Sequence, residues 1–157
     1  MTGRFILRDG GRFDLCSAVL VDVGTLRSED DPFAGIPGAP SIEHRDETVQ
    51  EISLKTDRYP FAAFRPRTYA GAPYPLPAEG EWRITVQGEL TLRGIARDTE
   101  WTGTVRSAGG RIEIALGTVV KWSDFDIAIP QPPSILRFDD HGTVEVRLVA
   151  GAISGRR

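Results

Sequence analysis

The side chains capable of chemistry are few in this sequence, and their spacing joins none of them into a reaction centre. Cys16 is the single cysteine. It has no histidine near it in sequence to take its proton, so it reads as a small apolar strand residue that forms no internal disulfide. His44 lies among charged residues and has no second ligand at metal-binding spacing, which makes it a solvated helix histidine. Asp139-Asp140-His141 has the residue types of a metal site, but three adjacent residues before Gly142 are ordinary turn chemistry. Asp124 and Asp126, two apart, would share one face of a strand and could hold a cation; solvated turn carboxylates are the plainer reading. No Gly-x-Ser-x-Gly elbow, Cys–His pairing, His-x-x-x-His or phosphate-cradling glycine loop occurs. The expectation is a protein that is no enzyme and uses no metal or cofactor.

What remains is patterning. In residues 81–93, EWRITVQGELTLR, Trp82, Ile84, Val86, Leu90 and Leu92 fall on one parity, with Gly88 in the remaining slot, while charged and polar residues fill the other. A period of two sustained this long means a strand with one apolar and one wet face, and a glycine within it is a place to bend. Residues 95–106, 111–120 and 143–150 repeat the pattern, with Trp101 and Val105, then Ile112, Ile114 and Leu116, then Val144, Val146 and Leu148 on single parities. Upstream, Asp9-Gly10-Gly11 joins two β-rich runs, 4–7 and 13–23, as a hairpin. A return strand is expected over 61–68, with Pro60 at its entry.

Between these, residues 28–40 are too rich in proline and glycine for helix or interior strand, and carry Phe33 and Ile36. Such a loop is either pinned to a rim of the core or a lid over a cavity mouth. Ser41 is a good N-cap for one helix over 41–55, whose stripe of Ile42, Val49 and Ile52 is narrow enough for the outside of a sheet.

The chain has 157 residues, of which 40% are hydrophobic and 26% charged, with a net charge of −3. This fits one domain over 1–150 with a frayed tail over 151–157. The charge offers no footprint for nucleic acid, and no run is apolar enough to insert stably in a membrane. No secretory leader is evident, so the expected location is cytoplasmic. The fold class is all-β: antiparallel strands curled into a barrel, which removes exposed edges, plus one short helix. An apolar interior face serves equally for a packed core or a ligand pocket.

Four segments resemble the YceI-like family of lipocalin-like, polyisoprenoid-binding β-barrels. Residues 86–95, VQGELTLRGI, are similar to that family's G-x-L-T-(I/L)-x-G-(V/I) hairpin. Residues 21–28, VDVGTLRS, resemble its strand ending in a serine-bearing turn. His44-Arg45-Asp46 with residues 57–64, DRYPFAAF, resembles its helix and return strand, and residues 121–127, KWSDFDI, its aromatic segment. Part of the family's first hairpin has no counterpart, which leaves the barrel open on one side, narrowed, or closed by a second copy. Asp126 replaces the glycine of the family's D-F-G-I.

The resemblance implies a carrier that sequesters an apolar lipid such as a polyisoprenoid. Its cavity wall would comprise Trp82, Ile84, Val86, Leu90, Trp101, Ile112, Ile114, Leu116, Phe125 and Val146. Phe33, Ile36, Tyr59 and Phe64 would form the mouth. The rival expectation is an interaction module with a filled core, which binds a protein or forms a homodimer through its rim or open edge.

Overall fold

Alternation becomes strand almost residue for residue in this computed structural model, which describes residues 2–29, 35, 37–38, 41–128 and 139–151. Among them the strands are β1 (Thr2–Arg4), β2 (Leu7–Arg8), β3 (Arg12–Phe13), β4 (Ala18–Asp22), β5 (Phe61–Ala70), β6 (Gly80–Leu92), β7 (Ile95–Ala108), β8 (Arg111–Lys121) and β9 (His141–Gly151). They build one antiparallel sheet in the order β1-β4-β5-β6-β7-β8-β9, with β2 and β3 as a small hairpin leaning on β5. The sheet curls into a lipocalin-like half-barrel. Among the described residues β1 and β9 are its two ends, and neither pairs with the other.

The centre is the β6–β7 hairpin, paired from Gly80↔Ser107 to Leu92↔Ile95. Its turn is Arg93-Gly94, both with positive φ (48° and 73°), as a two-residue loop matched to strand twist requires. Gly88 is the bend. Opposite it β5 carries a bulge, where the register shifts between Pro66 and Thr68. A Cβ on Gly88 would come within 2.4 Å of the Arg65 carbonyl oxygen, so only glycine lets the two backbones approach there.

The apolar parity of this hairpin packs with the end of β8 and the turn beyond it. Ile84, Val86, Leu90, Trp101, Val105, Val120, Phe125 and Ile127 form the buried cluster. Phe125 and Ile127 reach it from a 3-10 turn, Trp122–Phe125, that hooks back beneath the sheet. Asp140 fastens this hook: its carboxylate accepts from the Ser123 backbone N–H at 2.9 Å and the Ser123 hydroxyl at 2.6 Å.

Several sequence expectations change. The run 13–23 is not one strand. Asp14 interrupts it by accepting from the Cys16 N–H and pairing with Arg8, and the buried Ser17 hydroxyl accepts from the Ile6 N–H. Cys16 is therefore exposed in a turn beside Leu15, instead of lying in a strand. The helix starts as expected, with the Ser41 hydroxyl accepting from the His44 N–H, but α1 (Ile42–Thr48) passes into a π-helical turn over Val49–Leu54. The wider turn rotates Val49 and Ile52 out to solvent and brings Ser53 and Leu54 inward. Asp124 and Asp126 lie on the 3-10 hook and not on a strand, so they share no strand face. β9 takes in Gly151, paired with Arg111, and residues 152–157 lie outside the described residues.

Candidate functional site

Cross-strand partners share a face, so the register fixes what the concave side presents. One row runs Tyr69, Val86, Trp101. The next runs Ile84, Gly103, Leu116, Val146, and the third Trp82, Val105, Ile114, Leu148. A fourth, Ser107, Ile112, Ala150, closes the far end. These rows form an apolar trough. Its cover is uneven: Val86 and Trp101 are each 2% exposed, whereas Ile112, Ile114, Leu116, Val146 and Leu148 are only half-buried. The gradient follows the topology: β6 and β7 are mid-sheet strands, with the hook against β7, while β9 is the end strand among the described residues.

The expected wall residues thus divide in two. Ile84, Val86, Leu90, Trp101 and Phe125 belong to the packed core. Trp82, Ile112, Ile114, Leu116 and Val146 rim it and keep surface to offer. Of the expected mouth residues, Phe64 is half-buried against Trp101, ring centroids 5.0 Å apart. Tyr59 is half-buried with its ring over Gly94 at the β6–β7 corner. Phe33 and Ile36 lie outside the described residues.

Three polar groups belong to this face or its rim and were not singled out from sequence. Tyr69 shares the face of Val86, and its buried hydroxyl has no hydrogen-bond partner; burial raises its pKa. Arg97 stands opposite Leu90, so an exposed cation occupies the inward parity near the β6–β7 corner, on a face expected to carry almost no charge. Arg93 at the corner has a guanidinium 7% exposed, 3.5 Å from the Asp126 carboxylate, with Nε unpaired. Parity counting from Ile95 finds Arg97; the positive φ that folds Arg93 inward has no such signal beyond the Arg-Gly pair.

Several titratable groups elsewhere are engaged in structure. Asp46 accepts from the Ser28 N–H and hydroxyl, and Asp140 from Ser123. In both, those hydrogen bonds hold the carboxyl below its ordinary range. His141 lies 3.2 Å from Asp139 in the open. Two clefts, of about 410 and 440 Å³, sit beside Arg67 and Asp98 and beside Gly11 and Tyr69; both are polar-rimmed and open to solvent. No helix of the described residues is long and apolar enough to cross a membrane.

The profile of the YceI-like domain matches residues 14–150. The fold is similar to that of the Campylobacter jejuni YCEI protein, at 18% identity and a TM-score of 0.66, covering 98% of this chain and 81% of that one. It is also similar to Burkholderia cenocepacia BcnA, at 17% identity and a TM-score of 0.67, covering 95% of this chain and 82% of that one. No curated protein sequence matches the chain.

Proposed function

The chain belongs to the YceI-like family, and from that premise we propose that it is a binding protein that shelters a long apolar lipid of the isoprenoid or polyprenyl-quinone class in its trough. One observation carries the reading: the half-buried patch of Ile112, Ile114, Leu116, Val146 and Leu148 on β8 and β9, continuous with the packed core and still able to lose surface to a ligand. Binding here is burial without bond-making, at about 0.8 kcal/mol for each CH₂ taken out of water. Tyr69 and Arg97 are two polar groups on the same face, suited to orient a head group of oxygen acceptors. The reading includes no catalytic step and no cofactor, and takes the cytoplasm as the compartment.

The test is extraction of purified protein with organic solvent and mass spectrometry of the extract. A prenyl-chain lipid at near one per chain is the expected result. Empty extracts, together with no uptake of an added prenyl quinone, would remove the carrier reading. A filled-core interaction module is the second reading, favoured by the edge of β9, which pairs with no strand on its outer side among the described residues.

A further inference from the structure

Arg93 is a buried cation with an incomplete set of partners. Arg8, Arg65, Arg67 and Arg111 also pair with carboxylates, but each keeps more than half of its side-chain surface in water; Arg93 keeps 7%. A guanidinium carries five N–H donors. Among the described residues this one has a single carboxylate in ion-pair range, Asp126 at 3.5 Å, and its Nε is buried with no partner. A charge-assisted hydrogen bond is shorter, roughly 2.7–2.9 Å. Asp126 is 81% exposed, so water screens the pair, and it offsets little of the cost of taking a cation out of water.

Neither the turn nor the core requires a guanidinium here. A two-residue turn of this kind favours Asn or Gly at the position of Arg93. Around it, Leu92 and Ile95, the last pair of the hairpin, pack against the apolar core, and the Tyr59 ring covers Gly94. What a guanidinium supplies is a planar fork that matches two oxygens of a carboxylate or phosphate. Arg97 adds a second cation, two residues beyond Ile95 on the same inward parity; it is exposed, and it donates to the carbonyl of its neighbour Ala96 at 2.9 Å. We infer that the β6–β7 corner is an oxyanion site, in which Arg93, aided by Arg97, binds a carboxylate or phosphate, and that Asp126 stands in for this oxyanion in the free protein. The anion is either the head group of an amphiphile whose tail lies along the apolar rows or a free ion. Only the first source rests on the carrier reading.

Isothermal titration of the full chain with decyl phosphate, decanol and inorganic phosphate tests it. Decyl phosphate should bind about tenfold or more tighter than decanol, the effect of hydrogen bonds to a charged group. Arg93→Gly should bring the two within about twofold, and because glycine adopts the φ of 48° freely, the turn is kept. Asp126→Gly, at a φ of 54°, removes the competing carboxylate and should tighten decyl phosphate by about threefold while leaving decanol unchanged. Far-ultraviolet circular dichroism checks that both variants fold. Inorganic phosphate that binds saturably and is lost in Arg93→Gly, with neither decyl compound bound, would keep the site, assign it to a free ion and remove the carrier reading. Decanol bound as tightly as decyl phosphate, with both indifferent to Arg93→Gly, would keep the carrier reading and overturn the site. A phosphate preference that survives Arg93→Gly, or no binding of either phosphate, would also overturn it. So would an Asp126→Gly variant that melts earlier with unchanged phosphate affinity, the mark of a pair that only fastens the hook.

Discussion

Trp101 and Ile114 face the same side of the sheet, yet they answer different questions. Trp101 is 2% exposed, touches Phe64, and donates its indole N–H to Thr99 Oγ1 at 2.9 Å. Trp101→Ala should cost about 3–5 kcal/mol in urea unfolding, the range for an emptied aromatic site. Ile114→Ala removes a half-buried side chain and should cost less, about 1–2 kcal/mol, while lowering uptake of a fluorescent apolar probe severalfold. If both substitutions cost alike and neither moves the probe, Ile114 is plain core. Tyr69 gives a second contrast. Its buried hydroxyl has no partner, so Tyr69→Phe removes an unsatisfied group and should leave stability unchanged or raise it by about 1 kcal/mol. A loss of 2 kcal/mol or more would mean that the hydroxyl is bonded in solution.

Elements stand or fall on the backbone contacts between them. A Cβ on Gly103 would lie 1.9 Å from the Ala115 carbonyl oxygen, so Gly103→Ala must force β7 and β8 apart, at roughly 2–4 kcal/mol or loss of folding. Gly117, on the neighbouring strand, meets nothing closer than 3.8 Å; Gly117→Ala should stay within about 0.5 kcal/mol of wild type, by melting or urea titration. The hook below the core adds a pH dependence. Asp140, held by Ser123, has its pKa lowered from 3.8 in the folded state. Its stabilisation is therefore complete above that ordinary value and is lost as pH falls through the lower, folded one. Acid titration of Asp140→Asn should show a weaker molecule at neutral pH and a shallower decline below about pH 4. β6 to β9 were readable because alternation there is the fold's own period, and both ends of each strand carry turn residues. The break at Asp14 and Ser17 was not, because it depends on bonds to Arg8 and Ile6 that no local pattern announces. Nor was the π-helical turn, which keeps the helical composition of 41–55 but changes which side chains face in. For the site, residue type showed which positions face inward, but not that β8 and β9 would lie half-covered. That follows from strand order, which only the assembled sheet reveals.

At the scale of the whole molecule, an open curled sheet makes a different prediction from a sealed barrel. A sealed interior accepts ligands up to its volume and rejects longer ones. On the proposed carrier reading, a trough open along β9, its end strand among the described residues, would let a tail lie down and leave its excess in water. Each CH₂ buried contributes about 0.8 kcal/mol, close to a fourfold gain in affinity, so binding should climb steeply with prenyl length while the tail still covers the apolar rows. Trp82 to Leu92 spans ten residue steps of β6, roughly 34 Å at 3.4 Å each. Once the tail outruns that length, added units find no apolar surface and affinity should level off instead of falling. Thermal melting with a ladder of prenyl quinones measures this, since a ligand at a hundred times its Kd stabilises the folded state by about 2.7 kcal/mol. A sharp optimum followed by loss of binding would point to a closed pocket, and a flat response across the whole ladder would mean that the trough holds no tail.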